Sequence, residues 1–243
     1  MFQNYSIAFL LVVGLFWVEK TPLAKANNLK EKYRDAPEDA VTCGSAIKLT
    51  HVESSAASRK NEVFFLNSET KALGGGSGQQ LVSVVGNDPS STNFLWLVRG
   101  PNDPSTKNGA CQDGTAYPVK CDDVIRLTHV NTQRNLHSHE VKSPLSRQQE
   151  VSGYGAGDGE GDNNDDWMVV CDGAVEKWWR RESKVYLYHV GSKKYLGGSS
   201  TVSYNHQNCG SSCPIMNHLE IFARASRDKY GEWFVESGVH IHR

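Results

Sequence analysis

The stretch Ile125-Arg126-Leu127-Thr128-His129-Val130 decides the fold, because it repeats Ile47-Lys48-Leu49-Thr50-His51-Val52 almost residue for residue. A weaker third copy is Val185-Tyr186-Leu187-Tyr188-His189-Val190. Each copy is followed, at the end of its unit, by a tryptophan: Trp96, Trp167 and Trp233. Side chains in these hexapeptides alternate with period two, which is typical of half-buried strands. The chain therefore contains three imperfect copies of one strand-rich unit.

Three such copies are too few and too long for a solenoid of ordinary period, so we predict a closed, threefold-related all-β domain. The predicted repeats span 40–99, 112–171 and 175–236, within one domain of residues 40–238. Before them lies an N-terminal arm, residues 27–39, in which residues 27–38 form either a short charged helix or a loose segment.

The first residues indicate a secretory signal peptide. Ile7 to Val18 is an apolar run too short for the roughly 20 residues that span a bilayer, and Ala24-Lys25-Ala26 is an A-x-A cleavage site. We predict a signal peptide of residues 1–26 and no membrane segment after its removal. An uncleaved anchor is the alternative, because the start of the chain lacks the usual Lys or Arg.

Charge and cysteine content narrow the function further. Lys plus Arg number 26 and Asp plus Glu number 27, so no strong field exists to attract nucleic acid. Six cysteines in a secretory protein indicate disulfides, whose pairing the sequence leaves open. Cys209 and Cys213 could close a local turn. Their spacing does not match the C-x-x-C of redox enzymes.

Two features invite a metal interpretation. His137-Ser138-His139 and His240-Ile241-His242 each place two imidazoles on one face of an extended strand, but neither has a third ligand at a recognisable spacing. Hydrogen-bonded or solvent-facing histidines are therefore expected. The acidic stretch 158–166 fails the EF-hand pattern, because Asn163 and Val169 stand where Gly and Glu are required. We predict a solvated turn there and no metal or cofactor.

No motif for nucleophilic catalysis occurs, since the chain has no G-x-S-x-G elbow, and Gly74-Gly75-Gly76-Ser77-Gly78 lacks the Lys of a phosphate-binding loop. Trp178-Trp179 is a candidate contact surface, because adjacent strand residues face opposite ways and one indole is then exposed. Packing of both indoles is the alternative. The sequence predicts a protein that is not an enzyme.

Several segments together resemble the stromal cell-derived factor 2 family of MIR-domain proteins, with the match strongest over residues 41–172. They are Val41-Thr42-Cys43-Gly44-Ser45, Ser77-Gly78-Gln79-Gln80, Pro118-Val119-Lys120-Cys121, the second-copy hexapeptide, Arg134-Asn135-Leu136-His137-Ser138-His139, Ser143-Pro144-Leu145-Ser146, Gln149-Glu150-Val151-Ser152 and Gly159-Glu160-Gly161-Asp162. The resemblance implies a β-trefoil of three MIR repeats in the lumen of the endoplasmic reticulum (ER). It also implies work beside a luminal J-domain co-chaperone and the ATP-driven chaperone BiP, in protein quality control and the unfolded-protein response.

The chain departs from its relatives in three places. It ends Val239-His240-Ile241-His242-Arg243, whereas animal relatives end in a KDEL-like retrieval signal, so secretion is an alternative to ER residence. The first copy has Leu66-Asn67-Ser68-Glu69 where relatives carry Leu-His-Ser-His, which leaves that motif only in the second copy. The third copy contains an insert, residues 205–218, with two extra cysteines.

We therefore expect a non-catalytic ER-luminal module that binds client proteins, a J-domain co-chaperone or a BiP-type chaperone. The candidate binding residues are Arg134, Asn135, His137, His139, Trp178 and Trp179, and a hydrogen-bonded β-turn is the structural alternative for the first four. A lectin-like module that binds mannosyl or other glycans is the alternative function, because trefoils commonly carry sugar sites.

Overall fold

The computed structural model describes residues 22–86, 88, 90–173, 175–236 and 239–240. Residues 1–21, which include the apolar run of the predicted signal peptide, lie outside the described residues. So do Ile241 and His242 of the His240-Ile241-His242 motif. The chain divides into two compact units, residues 1–34 and residues 35–243. No helix within the described ranges has the length and apolar character needed to span a bilayer.

The N-terminal unit contains one described helix, α1 (Pro22–Lys32), which begins and ends earlier than the helix considered for residues 27–38. Pro22 occupies its first position, where the missing N–H costs nothing, and Lys30 and Lys32 lie in its last turn, where cations interact favourably with the helix dipole. The predicted span fails at its end because Pro37 disfavours a helical conformation at the residue before it.

The second unit is almost entirely β, as expected. Its first group of strands is β1 (Ser45–Ile47), β2 (Leu49–His51), β3 (Phe64–Ala72), β4 (Gln80–Gly86) and β5 (Trp96–Arg99), with a short helix α2 (Val52–Ala57) after β2. The second is β6 (Val124–His129), β7 (Asn135–Lys142), β8 (Gln149–Tyr154) and β9 (Trp167–Cys171). The third is β10 (Val185–His189), β11 (Lys194–Ser203), helix α3 (His206–Cys209), β12 (Leu219–Arg224) and β13 (Trp233–Val235), followed by β14 (Val239–His240).

Antiparallel pairing closes the outer strands of the three groups into a barrel. The last strand of each group pairs with the first strand of the next, in β5–β6, β9–β10 and β13–β2. Within each group the first strand also pairs with the last, in β1–β5, β6–β9 and β10–β13. Since β1 and β2 are consecutive parts of one interrupted strand, the ring is complete. This closure removes most sheet edges.

The inner strands form three hairpins, β3–β4, β7–β8 and β11–β12, that pair with one another through β4–β8, β4–β12 and β8–β12. Six barrel strands capped by a triplet of hairpins form the β-trefoil architecture. The all-β fold that the repeats predict is therefore confirmed.

The other end of the barrel is closed by three short arms that lead into β1, β6 and β10. Their backbones form a ring of hydrogen bonds, in which Val41 N–H donates to Trp179 O at 2.7 Å, Trp179 N–H to Val119 O at 3.0 Å and Val119 N–H to Val41 O at 2.9 Å. The ring satisfies peptide groups that are otherwise buried without partners. It also places the Trp179 indole in the core.

Three disulfides are formed: Cys43–Cys111, Cys121–Cys171 and Cys209–Cys213. The first joins the arm before β1 to the chain after β5, and the second joins the arm before β6 to the last residue of β9, across sequence separations of 68 and 50 residues. The third closes the local turn proposed from the sequence, inside the insert of the third group. Disulfides of this kind persist in the secretory pathway.

Candidate functional site

Three buried histidines occupy equivalent positions and share one hydrogen-bond pattern. His51, His129 and His189 each lie beside a tryptophan, with ring centroids 4.7, 5.1 and 4.9 Å apart. Each Nε2 lies 2.9 to 3.1 Å from a backbone carbonyl oxygen, and each Nδ1 2.7 to 2.9 Å from a Ser or Thr hydroxyl. Because a carbonyl can only accept, Nε2 carries a proton, and burial lowers the pKa of all three rings, which favours their neutral form. These histidines are structural.

The equivalent tryptophans also share one bond. The indole N–H of Trp96, Trp167 and Trp233 donates to the carbonyl oxygens of Leu66, Leu136 and Leu196, at 3.1, 2.8 and 3.2 Å. Each bond links the last strand of a repeat to its hairpin. The sequence interpretation of these residues as core anchors agrees with their complete burial.

The threefold symmetry breaks in the second group, where a polar pair replaces an apolar one. Asn135 Nδ2 donates to Asp165 Oδ2 at 3.0 Å, and both side chains are buried. At the equivalent positions of the first group, Phe65 and Phe94 stack with ring centroids 4.9 Å apart. A buried carboxylate is costly unless its oxygens accept hydrogen bonds, so a polar pair kept at this position needs a local reason.

Asp165 is held by several donors. Its Oδ2 also accepts the backbone N–H of Asp162 at 2.9 Å, and its Oδ1 lies 2.8 Å from Nδ1 of His137. Asp162 in turn caps the short 3₁₀ turn Asn163–Asp165. The carboxylate is therefore fixed by the backbone on one side and orients an imidazole on the other.

The two histidines of the second-group motif extend this network towards solvent. His137 Nε2 lies 2.9 Å from His139 Nδ1, and His137 is buried whereas His139 is half-buried. Asp165 Oδ1 accepts the hydrogen bond of His137 Nδ1, and His137 Nε2 in turn pairs with His139 Nδ1. Nε2 of His139 is the ring nitrogen that takes no part in this network. Burial and, next, the neighbouring His137 lower the pKa of His139, which favours its neutral ring.

The outer edge of this cluster contains two more side chains. Tyr154 is 37% exposed and its ring centroid lies 4.6 Å from that of His137. The carboxylate of Asp162 lies 3.7 Å from His137 Nδ1, and its side chain is 45% exposed. We call His139, Tyr154 and Asp162 the repeat-2 surface. It combines an imidazole, an aromatic ring and a carboxylate on a hydrogen-bonded base.

The predicted binding residues divide between this surface and its support. Asn135 and His137 lie in the buried base, and His139 lies at the surface. Arg134 is half-buried, and its Nη1 donates to the carbonyl oxygen of Gly155, which braces the turn after β8. The structure thus brings Asn135, His137 and His139 into one network and gives Arg134 a bond to the adjoining turn.

The expectation of an exposed indole at Trp178 or Trp179 is wrong, because the two side chains are only 3% and 1% exposed. Trp179 packs in the barrel core. Trp178 bridges to Lys120, and the ammonium groups of Lys120 and Lys177 lie 5.5 and 5.0 Å from its ring centroid. The alternation argument fails here because the arm is covered on both faces.

The acidic stretch 158–166 is only partly the solvated turn that its composition predicts. Asp158 and Glu160 are exposed, but Asp165 and Asp166 are buried. Burial raises the pKa of Asp166 to about 6. The backbone N–H of Asn102 donates to this carboxylate at 2.8 Å and partly offsets the rise. The buried half of the stretch is the carboxylate base of the repeat-2 network.

His137, Asp162 and Asp165 form a group whose candidate ligand atoms all lie within 4.8 Å of one another. A cation there would have to displace the proton of His137 Nδ1, which already bridges to Asp165 at 2.8 Å. It would also compete with the backbone N–H of Asn164, which Asp162 Oδ1 accepts at 2.8 Å. The donor set is therefore satisfied as a hydrogen-bonded cluster.

Sequence reasoning missed Tyr154, Asp162 and Asp165 as members of this site. A signal for Asp165 existed: it stands two residues before the repeat tryptophan, where the other copies have Phe94 and Gly231. A carboxylate in a position that is apolar or small elsewhere indicates a specific partner. The partner, His137, lies 28 residues earlier and is not visible from local spacing.

Comparison with known proteins places these features in a family. Residues 77–212 match the model of the MIR domain. The stromal cell-derived factor 2-like protein of Dictyostelium discoideum is 37% identical over 221 residues, 90% of this chain and 92% of the relative.

Solved structures agree with this match. The SDF2-like protein of Arabidopsis thaliana superposes with a TM-score of 0.65 at 30% identity, over 83% of this chain and 97% of that one. A second structure is the Pmt1-Pmt2 protein O-mannosyltransferase complex of Saccharomyces cerevisiae, determined with its sugar donor bound. It superposes with a TM-score of 0.64 at 25% identity, over 85% of this chain and 27% of that one.

Proposed function

We propose, from the premise that the chain belongs to the stromal cell-derived factor 2 family of MIR-domain proteins, that it is a non-catalytic accessory of an ER-luminal chaperone system. In this role it binds a J-domain co-chaperone, together with a BiP-type chaperone and client proteins. The family resemblance of the second repeat supports these partners, and the formed disulfides are in keeping with the secretory pathway.

One observation carries the choice of surface. His139 is the half-buried end of a hydrogen-bonded series that runs through the buried His137 to the buried Asp165. A surface group whose base is fixed in this way loses little conformational freedom on binding, so more of its contact energy appears as affinity. The equivalent positions of the other two groups contain Glu69 and Ser199, so an imidazole stands at this position only in the second repeat.

The cluster supports binding better than catalysis. The carboxylate of Asp165 is fully buried and already accepts three hydrogen bonds. His137 is enclosed between that carboxylate and His139. A general acid or base must reach a proton on a substrate within hydrogen-bond distance, and neither Asp165 nor His137 is in a position to do so.

Affinity purification under mild crosslinking tests the proposal. The tagged mature chain is expressed in its own cells as wild type, as His139→Ala and as His206→Ala, an exposed histidine of α3 that serves as a matched control. Wild type and the control should recover a J-domain protein and a BiP-type chaperone, and His139→Ala should lose them. Recovery of neither by the wild type overturns the proposal. His137 is unsuitable for this test because its removal leaves Oδ1 of the buried Asp165 carboxylate without its imidazole partner.

A lectin-like role is the second candidate, and the partly exposed ring of Tyr154 beside His137 favours it. Aromatic faces and hydrogen-bonding groups together are the usual parts of a sugar site. The O-mannosyltransferase whose fold matches this chain was solved with its sugar donor, which is a property of that protein. A glycan array distinguishes the two roles: mannosyl binding that is lost in Tyr154→Ala, without co-chaperone recovery, would replace the preferred function.

A further inference from the structure

Two clefts on the trefoil unit meet at Arg99. One, of about 390 Å³, is lined partly by Leu97, Ala116 and Val130 and by the Cys43–Cys111 disulfide. The other, of about 480 Å³, is lined mainly by polar groups, including Arg126 and Asn102. Arg99 and Asp158 line both clefts, so the two cavities form one continuous depression with an apolar and a polar half.

The polar half contains two arginines that face each other. Arg99 on β5 and Arg126 on β6 are direct cross-strand partners. Like charges opposite each other on neighbouring strands are destabilising. Burial and, next, the charge of Arg99 lower the pKa of Arg126, and the charges of Asp165 and Asp166 act in the opposite direction. A bound anion would relieve the repulsion between the two guanidinium groups.

No carboxylate within the described part of the chain lies in ion-pair distance of either guanidinium. Arg126 has one hydrogen bond, from Nη1 to Asn102 Oδ1 at 3.4 Å, and its buried Nε has no acceptor. Buried donors without acceptors are rare in folded proteins and call for a partner. The acidic side chain on the rim, Asp158, is exposed and accepts the backbone N–H of Glu160 at 2.8 Å.

The Arg99 guanidinium lies close to the backbone of Gly159. Gly159 is buried and has a φ of +85°, and a side chain at that position would collide with the Arg99 guanidinium. The glycine therefore makes room for the guanidinium between the two halves of the depression. The planar fork of an arginine matches a carboxylate in a two-pronged geometry.

We propose that this depression binds the carboxylate of an acidic peptide segment. Arg99 and the free Nε of Arg126 hold the carboxylate, and a neighbouring apolar side chain of the peptide packs against Leu97 and Val130. The site uses none of the side chains of the repeat-2 surface, so it exists whether or not that surface binds a co-chaperone.

The test is a titration of the ¹⁵N-labelled mature protein followed by nuclear magnetic resonance. The probes are the blocked dipeptide acetyl-Leu-Asp-amide, its neutral counterpart acetyl-Leu-Asn-amide and inorganic phosphate. We expect saturable shifts of the Arg99 and Gly159 amide signals with the acidic dipeptide and binding at least about tenfold weaker with the neutral one, as the loss of a charged hydrogen-bond pair implies.

Variants locate the site. Arg99→Gln should lower the affinity for the acidic dipeptide at least tenfold. Arg99→Lys should lower it less, because lysine keeps the charge and loses only the two-pronged geometry of the guanidinium. Arg59→Gln, an exposed arginine outside both clefts, makes the same change of charge and should bind like wild type. Equal binding of the two dipeptides, equal losses in Arg99→Gln and Arg59→Gln, or tighter binding of phosphate than of the acidic dipeptide each overturn the proposal. The folded amide spectrum of each variant provides the check on its structure.

Discussion

His137 Nδ1 and Asp165 Oδ1 lie 2.8 Å apart, and neither side chain is exposed by more than 3%. This pair joins β7 to the short turn before β9. A buried carboxylate and imidazole that hydrogen-bond in this way fix each other's orientation. Removing one of them destabilises the fold, because the other then stays buried without its partner. The rigidity of His139, and with it the proposed binding surface, depends on this one contact.

Asp165→Asn tests the pair directly. The substitution preserves the shape of the side chain but replaces one acceptor oxygen with an N–H₂ donor. That donor faces either the N–H groups of Asn135 and Asp162 or His137 Nδ1. We therefore expect the unfolding free energy to fall by about 2 to 3 kcal/mol. Urea denaturation measures it. Asp158→Asn, an exposed carboxylate of the same loop, should change the free energy by no more than about 0.5 kcal/mol. Equal effects of the two substitutions would contradict the account.

The three equivalent tryptophans should contribute similarly to stability. Replacing Trp96, Trp167 or Trp233 with Phe removes an indole donor from a buried carbonyl and leaves a cavity beside a histidine. Each substitution should cost about 2 to 4 kcal/mol, measured by chemical denaturation. A difference of more than about 2 kcal/mol among the three would show that the repeats are not energetically equivalent.

The disulfides should differ in their effect according to the loops that they close. Replacing Cys121 and Cys171 with Ser opens a separation of 50 residues and should cost about 2 to 5 kcal/mol. The same replacement of Cys209 and Cys213 opens a separation of 4 residues and should cost less than about 2 kcal/mol. Thermal unfolding of the two double variants under identical conditions gives the comparison, and the reverse order would contradict it.

Stability should fall in mild acid. Burial lowers the pKa of His51, His129 and His189 below the ordinary value of 6.5, so the unfolded chain binds more protons than the folded one below that pH. Their contribution is complete above about pH 6.5 and is lost as the pH falls below it. The slope is at most about 1.4 kcal/mol per pH unit for each histidine.

Burial of Asp166 changes the pH dependence of stability in the opposite direction, over a lower pH range. Its pKa is raised from 3.8 to about 6, so its contribution falls as the pH rises between those values. Three histidines outweigh one carboxyl, and the unfolding free energy should still decrease from pH 7 to pH 5.5. Urea titrations at half-unit intervals measure the slope, and a flat or rising profile towards acid would contradict the burial of neutral histidines.

The repeat hexapeptides predicted much of the fold because their alternation directly reflects the pleat of a strand. His51, His129 and His189 recur for the same reason, since each closes an identical corner against a tryptophan. The arms that close the barrel could not be predicted in this way. Trp178 and Trp179 lie in one of them, and their burial depends on partners from other repeats.

The site was predicted in part for a similar reason. The sequence identified His137 and His139 as a polar pair but not the difference in their exposure, which depends on Asp165 beneath one of them. Arg99 and Arg126 stand 27 positions apart and become neighbours only through strand register. Contacts set by closure of the barrel have no local pattern.

A dissociation constant shows whether the repeat-2 surface binds a co-chaperone. The purified mature chain is titrated calorimetrically with the purified luminal J-domain protein of the same organism, as wild type, His139→Ala and His206→Ala. We expect saturable binding by wild type and by His206→Ala with affinities within about twofold of each other, and an affinity at least about tenfold lower in His139→Ala. Absence of binding by the wild type, or equal affinities for all three, would show that the repeat-2 surface does not bind this partner.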